Sequence, residues 1–119
     1  MKKTLTILSI TAGLLFGLSA TTLAQKSRVR YADKQMELMN FQLALDTYEA
    51  AYAKKPNYET ALKTAQAYER VRNYDKAYEW WGNVVSYEES TEEDFMSYLA
   101  AAQRVDKLEE AGGQVEGLM

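Results

Sequence analysis

The chain contains no cysteine and no histidine in its 119 residues. Without cysteine there is no thiol nucleophile, no disulfide and no thiolate ligand for a metal. A lipid-modified N-terminus of the bacterial lipoprotein kind is chemically impossible for the same reason. Without histidine the usual proton shuttle near neutral pH is missing, along with the common zinc constellations. Long apolar runs are also scarce. The one stretch, Leu5 to Leu18, is interrupted by Thr11, Gly13 and Gly17 and followed by Ser19, and it falls short of the about 20 apolar residues that a membrane span needs.

That stretch has the layout of an export signal. Met1-Lys2-Lys3 gives a positive start, the apolar run follows, and Thr22-Leu23-Ala24 ends it with a small residue, which predicts cleavage before Gln25. Residues 1–24 are therefore expected to be a bacterial secretory signal peptide and 25–119 the mature domain. Cleavage removes Lys2 and Lys3 and no acid, leaving 12 basic residues against 17 acidic ones, a net charge of −5. Phosphate binding needs a basic stripe, so nucleic acid is not expected as a partner. An exported chain without disulfides must hold its fold by packing, and nine tyrosines and two tryptophans supply large side chains for it.

One pattern organises the mature chain. Phe41, Ala44, Tyr48 and Ala51 recur, each displaced by the same interval, as Tyr74, Ala77, Trp81 and Val84. Ala44 and Ala77 fall where two antiparallel helices cross, and a small side chain there admits an interaxial distance of about 8–10 Å. Phe41 and Tyr48, or Tyr74 and Trp81, lie about a turn to either side on the same face. Units of this length cannot bury their apolar faces alone and must stack, which leaves an extended surface for binding. The spacing predicts helices near 27–39, 41–54, 58–71 and 74–86, with Lys55-Pro56-Asn57 ending the second because proline cannot continue a helix. Ser90 with Glu93 in the third position after it predicts a capping box opening a fifth helix that runs to Val105. A sixth, from Lys107, is expected to be cut short by Gly112-Gly113, since each glycine inside a helix costs about 1 kcal/mol relative to alanine. That shortening would leave the apolar face of the fifth helix poorly covered and open to a partner or to self-association.

The run Asn40-Phe41-Gln42-Leu43-Ala44 with Tyr48, Ala51 and Pro56 resembles the second helix and exit turn of a tetratricopeptide repeat, and Asn73-Tyr74-Asp75-Lys76-Ala77 with Trp81 resembles the next. Phe95, Tyr98, Ala102, Leu108 and Ala111 continue the register. The resemblance implies an all-α fold of helix-turn-helix units in a short right-handed superhelix, with repeats at about 25–57 and 58–91 and an incomplete one at 92–119. The expected repeat core is Phe41, Ala44, Tyr48, Ala51, Tyr68, Tyr74, Ala77, Trp81, Val84 and Tyr98. The pattern departs in the first helices, with Arg28 and Gln35 in the first repeat and Thr64 in the second at positions where the family prefers larger apolar or aromatic residues.

In such repeats the first helix of each pair lines the concave face, which puts Val29, Asp33, Met36, Glu37, Leu62, Gln66, Glu69 and Arg70 in a partner-binding groove. Family members that grip a chaperone's C-terminal carboxylate carry lysine and asparagine at groove positions where this chain has Val29 and Asp33. A mixed apolar and polar groove for an extended or helical peptide is expected instead. Trp80 points about 100° away from Trp81, and either packs on an adjoining helix or belongs to a contact surface.

The signal peptide ending Leu-Ala-Gln, a basic first helix and the repeats together are similar in organisation to the N-terminal region of OmpA-family envelope proteins of the Bacteroidetes. The resemblance covers residues 1 to about 111 and implies a periplasmic, non-catalytic scaffold or adaptor at the outer-membrane side of an envelope or secretion-related assembly. It would bind a protein or peptide partner and need no cofactor or metal. The alternative is the docking arm of a larger peptidoglycan-anchored protein. A carboxylate enzyme is the remote alternative, its densest candidate set being Glu88, Glu89, Glu92, Glu93 and Asp94. Acids at a helix N-terminus complement its dipole, and no oxygen-rich loop with a central glycine is present to wrap calcium, so that cluster is read as a solvated cap.

Overall fold

A computed structural model describes residues 23–118; the apolar run and most of the expected signal peptide lie outside the described residues. All the regular structure among them is helical: α1 over residues 23–37, α2 Phe41–Lys54, α3 Tyr58–Arg70, α4 Tyr74–Val85, α5 Glu92–Arg104 and α6 Leu108–Leu118. Consecutive helices from α2 to α6 pack on one another. No described helix is long and apolar enough to cross a membrane.

Two kinds of turn alternate along the chain. The α1–α2, α3–α4 and α5–α6 turns each contain one residue in the left-handed region, Met39, Arg72 and Asp106, with φ of 62°, 61° and 61°. The amide of the next residue then reaches back to close the helix: Asn40 N donates to Gln35 O at 2.9 Å, Asn73 N to Tyr68 O at 3.0 Å and Lys107 N to Ala102 O at 2.8 Å. This is the Schellman arrangement that satisfies the last carbonyls of a helix. At the other edge the starts of α3 and α5 are capped by side chains. Asn57 accepts from Thr60 N at 2.9 Å. Thr91 accepts from Asp94 N at 3.2 Å while Asp94 accepts from Thr91 N at 2.9 Å. The capping box is thus one position later than Ser90 and Glu93 suggested. The Ser90 hydroxyl donates to Tyr87 O at 2.7 Å instead.

The core is built on small residues. Ala32, Ala44, Ala51, Ala61, Ala65, Ala77, Ala102 and Ala111 are completely buried, and their size lets helix backbones approach closely. Tyr48, Tyr68, Trp81, Val84 and Tyr98 are buried among them. Thr64 is buried where an apolar side chain was expected, and its hydroxyl is satisfied by donating to Thr60 O at 2.7 Å. Phe41 is half-buried against the core. Tyr74, expected in the core, is 36% exposed at the surface. It opens α4 beside the Arg72 turn, and the Arg104 guanidinium lies 5.1 Å from its ring centroid.

The sixth helix differs from expectation. It continues through Gly112 and Gly113 to Leu118, and neither glycine uses a positive φ. Packing outweighs the propensity cost: Ala111 is fully buried, Val115 lies against the core, and the Tyr98 hydroxyl donates to Gln114 Oε1. The face of α5 expected to be bare is therefore covered by α6.

Candidate interaction surface

The face shared by α1 and α3 carries a depression of about 310 Å³ lined by Asp33, Met36, Glu37, Tyr48, Lys63, Gln66, Ala67 and Arg70. Five of the eight residues expected in a groove meet there: Asp33, Met36, Glu37, Gln66 and Arg70. Met36 is buried at its floor, and Gln66 and Arg70 are exposed at its rim. Val29 is also buried, but opens onto a neighbouring cavity of about 600 Å³. Leu62 is half-buried against the core. Glu69, between Gln66 and Arg70 on α3, meets α4 and α5 instead, accepting from Trp81 Nε1 at 2.8 Å and from Arg104 at 3.2 Å.

Asp33 anchors the depression. It accepts a hydrogen bond from the Tyr48 hydroxyl, which reaches it from α2, and its other oxygen takes Lys63 Nζ of α3 at 2.6 Å. One carboxylate thus ties three helices together. Burial, reinforced by the Asp33 hydrogen bond and charge, pushes the Tyr48 phenol well above its ordinary value. At the rim the Arg70 guanidinium lies 5.6 Å from the Phe41 ring centroid. That cation–π contact draws the Arg70 cation to the ring. The equivalent pairing, a guanidinium on α5 with the aromatic that opens α4, recurs at Arg104 and Tyr74.

The larger cavity sits beside the depression, where the first described turns of α1 meet the end of α2. Gln25, Lys26, Val29, Arg30, Lys55, Asn57, Glu59, Thr60 and Lys63 line it. Gln25 is buried, and its side-chain amide donates to Lys55 O at 2.8 Å and Ala51 O at 3.4 Å, tying α1 to the last carbonyls of α2. Sequence reasoning did not single out this basic pocket. The available signal was register: Arg30 and Lys63 are separated by the same interval as the apolar repeat, so both fall on one face.

Phenol and carboxylate pairs continue through the rest of the packing. Tyr68 donates to Glu49 Oε1 at 2.8 Å, and burial followed by that hydrogen bond pushes its phenol well up. Tyr58 donates to Asp94, and the hydrogen bond, more than burial, pushes the Tyr58 phenol up to about 12. Asp94 thus belongs to the α5 cap and an α3 contact. Tyr87 and Tyr52 share a hydroxyl contact of 2.7 Å, and burial leads the rise of the Tyr87 phenol to about 12. Trp80 is 9% exposed and meets Tyr52 edge to face at a centroid distance of 4.9 Å. Of its two sequence readings, packing on an adjoining helix is the one the structure adopts. Among the described residues no cluster of three or more acidic, histidine or cysteine side chains could hold a metal ion.

No protein-family model matches this chain, and a search of curated proteins finds no relative.

Proposed function

We propose that the chain is a tetratricopeptide-type interaction module, exported to the periplasm and non-catalytic, which binds a protein or peptide partner through the face shared by α1 and α3. The observation that carries this reading is the convergence of Asp33, Met36, Glu37, Gln66 and Arg70 around one depression. Its floor is apolar at Met36 and Ala67 and its rim is mixed in charge. Such a surface suits an extended or helical segment, with an apolar anchor below and polar groups fixing register. The left-handed turns at Met39, Arg72 and Asp106 support the repeat assignment, because they follow one another at almost the interval of the apolar pattern. The carboxylates also support a binding rather than a bond-making role. Asp33, Glu49, Glu69 and Asp94 each accept from a phenol, an indole or a cation that joins helices. Export would place Gln25 at the mature N-terminus, where its amide still anchors α1.

Site-specific photo-crosslinking tests the proposal in the native host. A photoreactive residue in place of Gln66 should yield one discrete adduct to another protein, whereas the same residue at Asn83, exposed on α4, should yield none. Met36 is unsuitable for a charge-introducing variant, because its burial would couple binding to stability. Equal labelling from both positions, or none from Gln66, would remove the assignment. N-terminal sequencing of the same material checks the export step, the expected first residue being Gln25.

A further inference from the structure

The helix ends that meet at the Pro56 turn form an edge with its charge separated into two halves. Antiparallel packing gathers there the first described turns of α1 and the starts of α3 and α5 with the ends of α2 and α4. Three contacts show this: Gln25 to Lys55 and Ala51, Tyr58 to Asp94, and Tyr52 to Tyr87. One half is the cavity of about 600 Å³, where Lys26, Arg30 and Lys55 outnumber the one acid, Glu59, and Lys63 is already paired with Asp33. The other is the α4–α5 corner, where Glu88, Glu89, Glu92 and Glu93 are all exposed and none forms an ion pair with a described residue. Over the chain, residues 25–57 hold six basic and four acidic residues, and residues 86–119 hold two basic and nine acidic. The opposite edge does not divide in this way: Lys34 pairs with Glu37, Lys76 with Glu79 and Arg104 with Glu69.

We propose that this edge pairs with the same edge of a second copy, the cationic cavity of each receiving the acidic α4–α5 corner of the other. A twofold axis satisfies both contacts at once, because in a self-complementary interface residue i meets j and j meets i. The two halves keep a fixed spacing through the tyrosine contacts between α2, α3 and the α4–α5 corner, so both engagements can form without rearrangement. The route differs from pairing through a bare α5, which α6 covers.

Charge reversal gives a test with an internal rescue. Lys26→Glu with Arg30→Glu leaves the cavity with three acids against Lys55 and Lys63, and Glu88→Lys with Glu89→Lys makes the edge largely basic. All four positions are exposed, and the second pair leaves the Thr91 cap of α5 untouched. Sedimentation equilibrium on the purified protein at low salt should show concentration-dependent dimers that dissociate as salt screens the contact. Each reversed variant alone should associate at least about tenfold more weakly, since like charges then face each other, with circular dichroism confirming an unchanged helix content. Mixing the two variants should restore dimers of mixed composition. A wild-type chain that stays monomeric at millimolar concentration and low salt, variants that associate as well as wild type, or a mixture that fails to recover would each overturn the proposal.

Discussion

Replacing Gly112 and Gly113 with alanine should stabilise this protein. Both glycines lie inside α6, neither has a positive φ, and a Cβ built at either position meets nothing within 4 Å beyond its chain neighbours and the local backbone of its own helix. Nothing in the surroundings therefore opposes the intrinsic preference, which favours alanine by about 0.8–1.0 kcal/mol per residue in a helix interior. The gain for the pair is about 2 kcal/mol. Because α6 is the last described helix and packs on α5, the gain should be felt first as reduced opening of that helix. Hydrogen exchange of the amides over residues 112–118 should slow about fivefold for each substitution, at about 1.4 kcal/mol per factor of ten. If opening of α6 and unfolding of the rest are coupled, the melting temperature rises as well, by about 4–8 °C per kcal/mol for a domain of this size. The Tyr98 to Gln114 contact should persist, so Tyr98 remains a built-in check that α6 still docks. Unchanged exchange, or a loss of stability on substitution, would refute the continuous helix and restore the interruption that the glycine pair suggests.

Two further outcomes follow from the packing. Thr91→Ala should destabilise by about 1 kcal/mol, the usual value of an N-cap, while Ser90→Ala costs less. Urea unfolding of both variants distinguishes the two caps, and equal or reversed costs would contradict the box between Thr91 and Asp94. The tyrosine contacts should make the protein lose stability at high pH. Tyr58 and Tyr87 ionise at about 12 in the folded protein against the ordinary 10.0. Their stabilisation is fully present below about pH 10 and is lost between about pH 10 and 12, as the unfolded chain releases phenolic protons that the folded chain retains. Tyrosinate absorbance should show these groups titrating late, and a single transition near 10 for all phenols in folded protein would rule the contacts out.

Helix class and much of the helix placement were legible because they depend on local signals. The apolar spacing of α2 and α4, Pro56 after α2 and the asparagines before α3 and α4 each act within a few residues of themselves, and the described helices follow them closely. The closing turns at Met39, Arg72 and Asp106 were not legible, since none is the glycine that usually marks a left-handed residue. Their positions are imposed by the carbonyls at Gln35, Tyr68 and Ala102. The candidate surface divides similarly. The resemblance to the repeat family placed Asp33, Met36, Gln66 and Arg70 on a common face, but Lys63 and Tyr48 join Asp33 through contacts between helices that have no sequence signature.

Local preferences are written in the residues themselves: where helices begin, which faces are apolar, which chemistry is missing. Where those preferences yield is settled by contacts across the fold. Gly112 and Gly113 stay helical because burial of Ala111 and the support of Val115 and Gln114 outweigh the backbone cost. Trp80 is buried because Tyr52, on a helix two elements earlier, supplies a ring for it to pack against. The acidic α4–α5 corner and the basic cavity share an edge because antiparallel packing of successive helices brings them there. Each outcome depends on contacts between residues distant in the chain, whose energies no local pattern encodes.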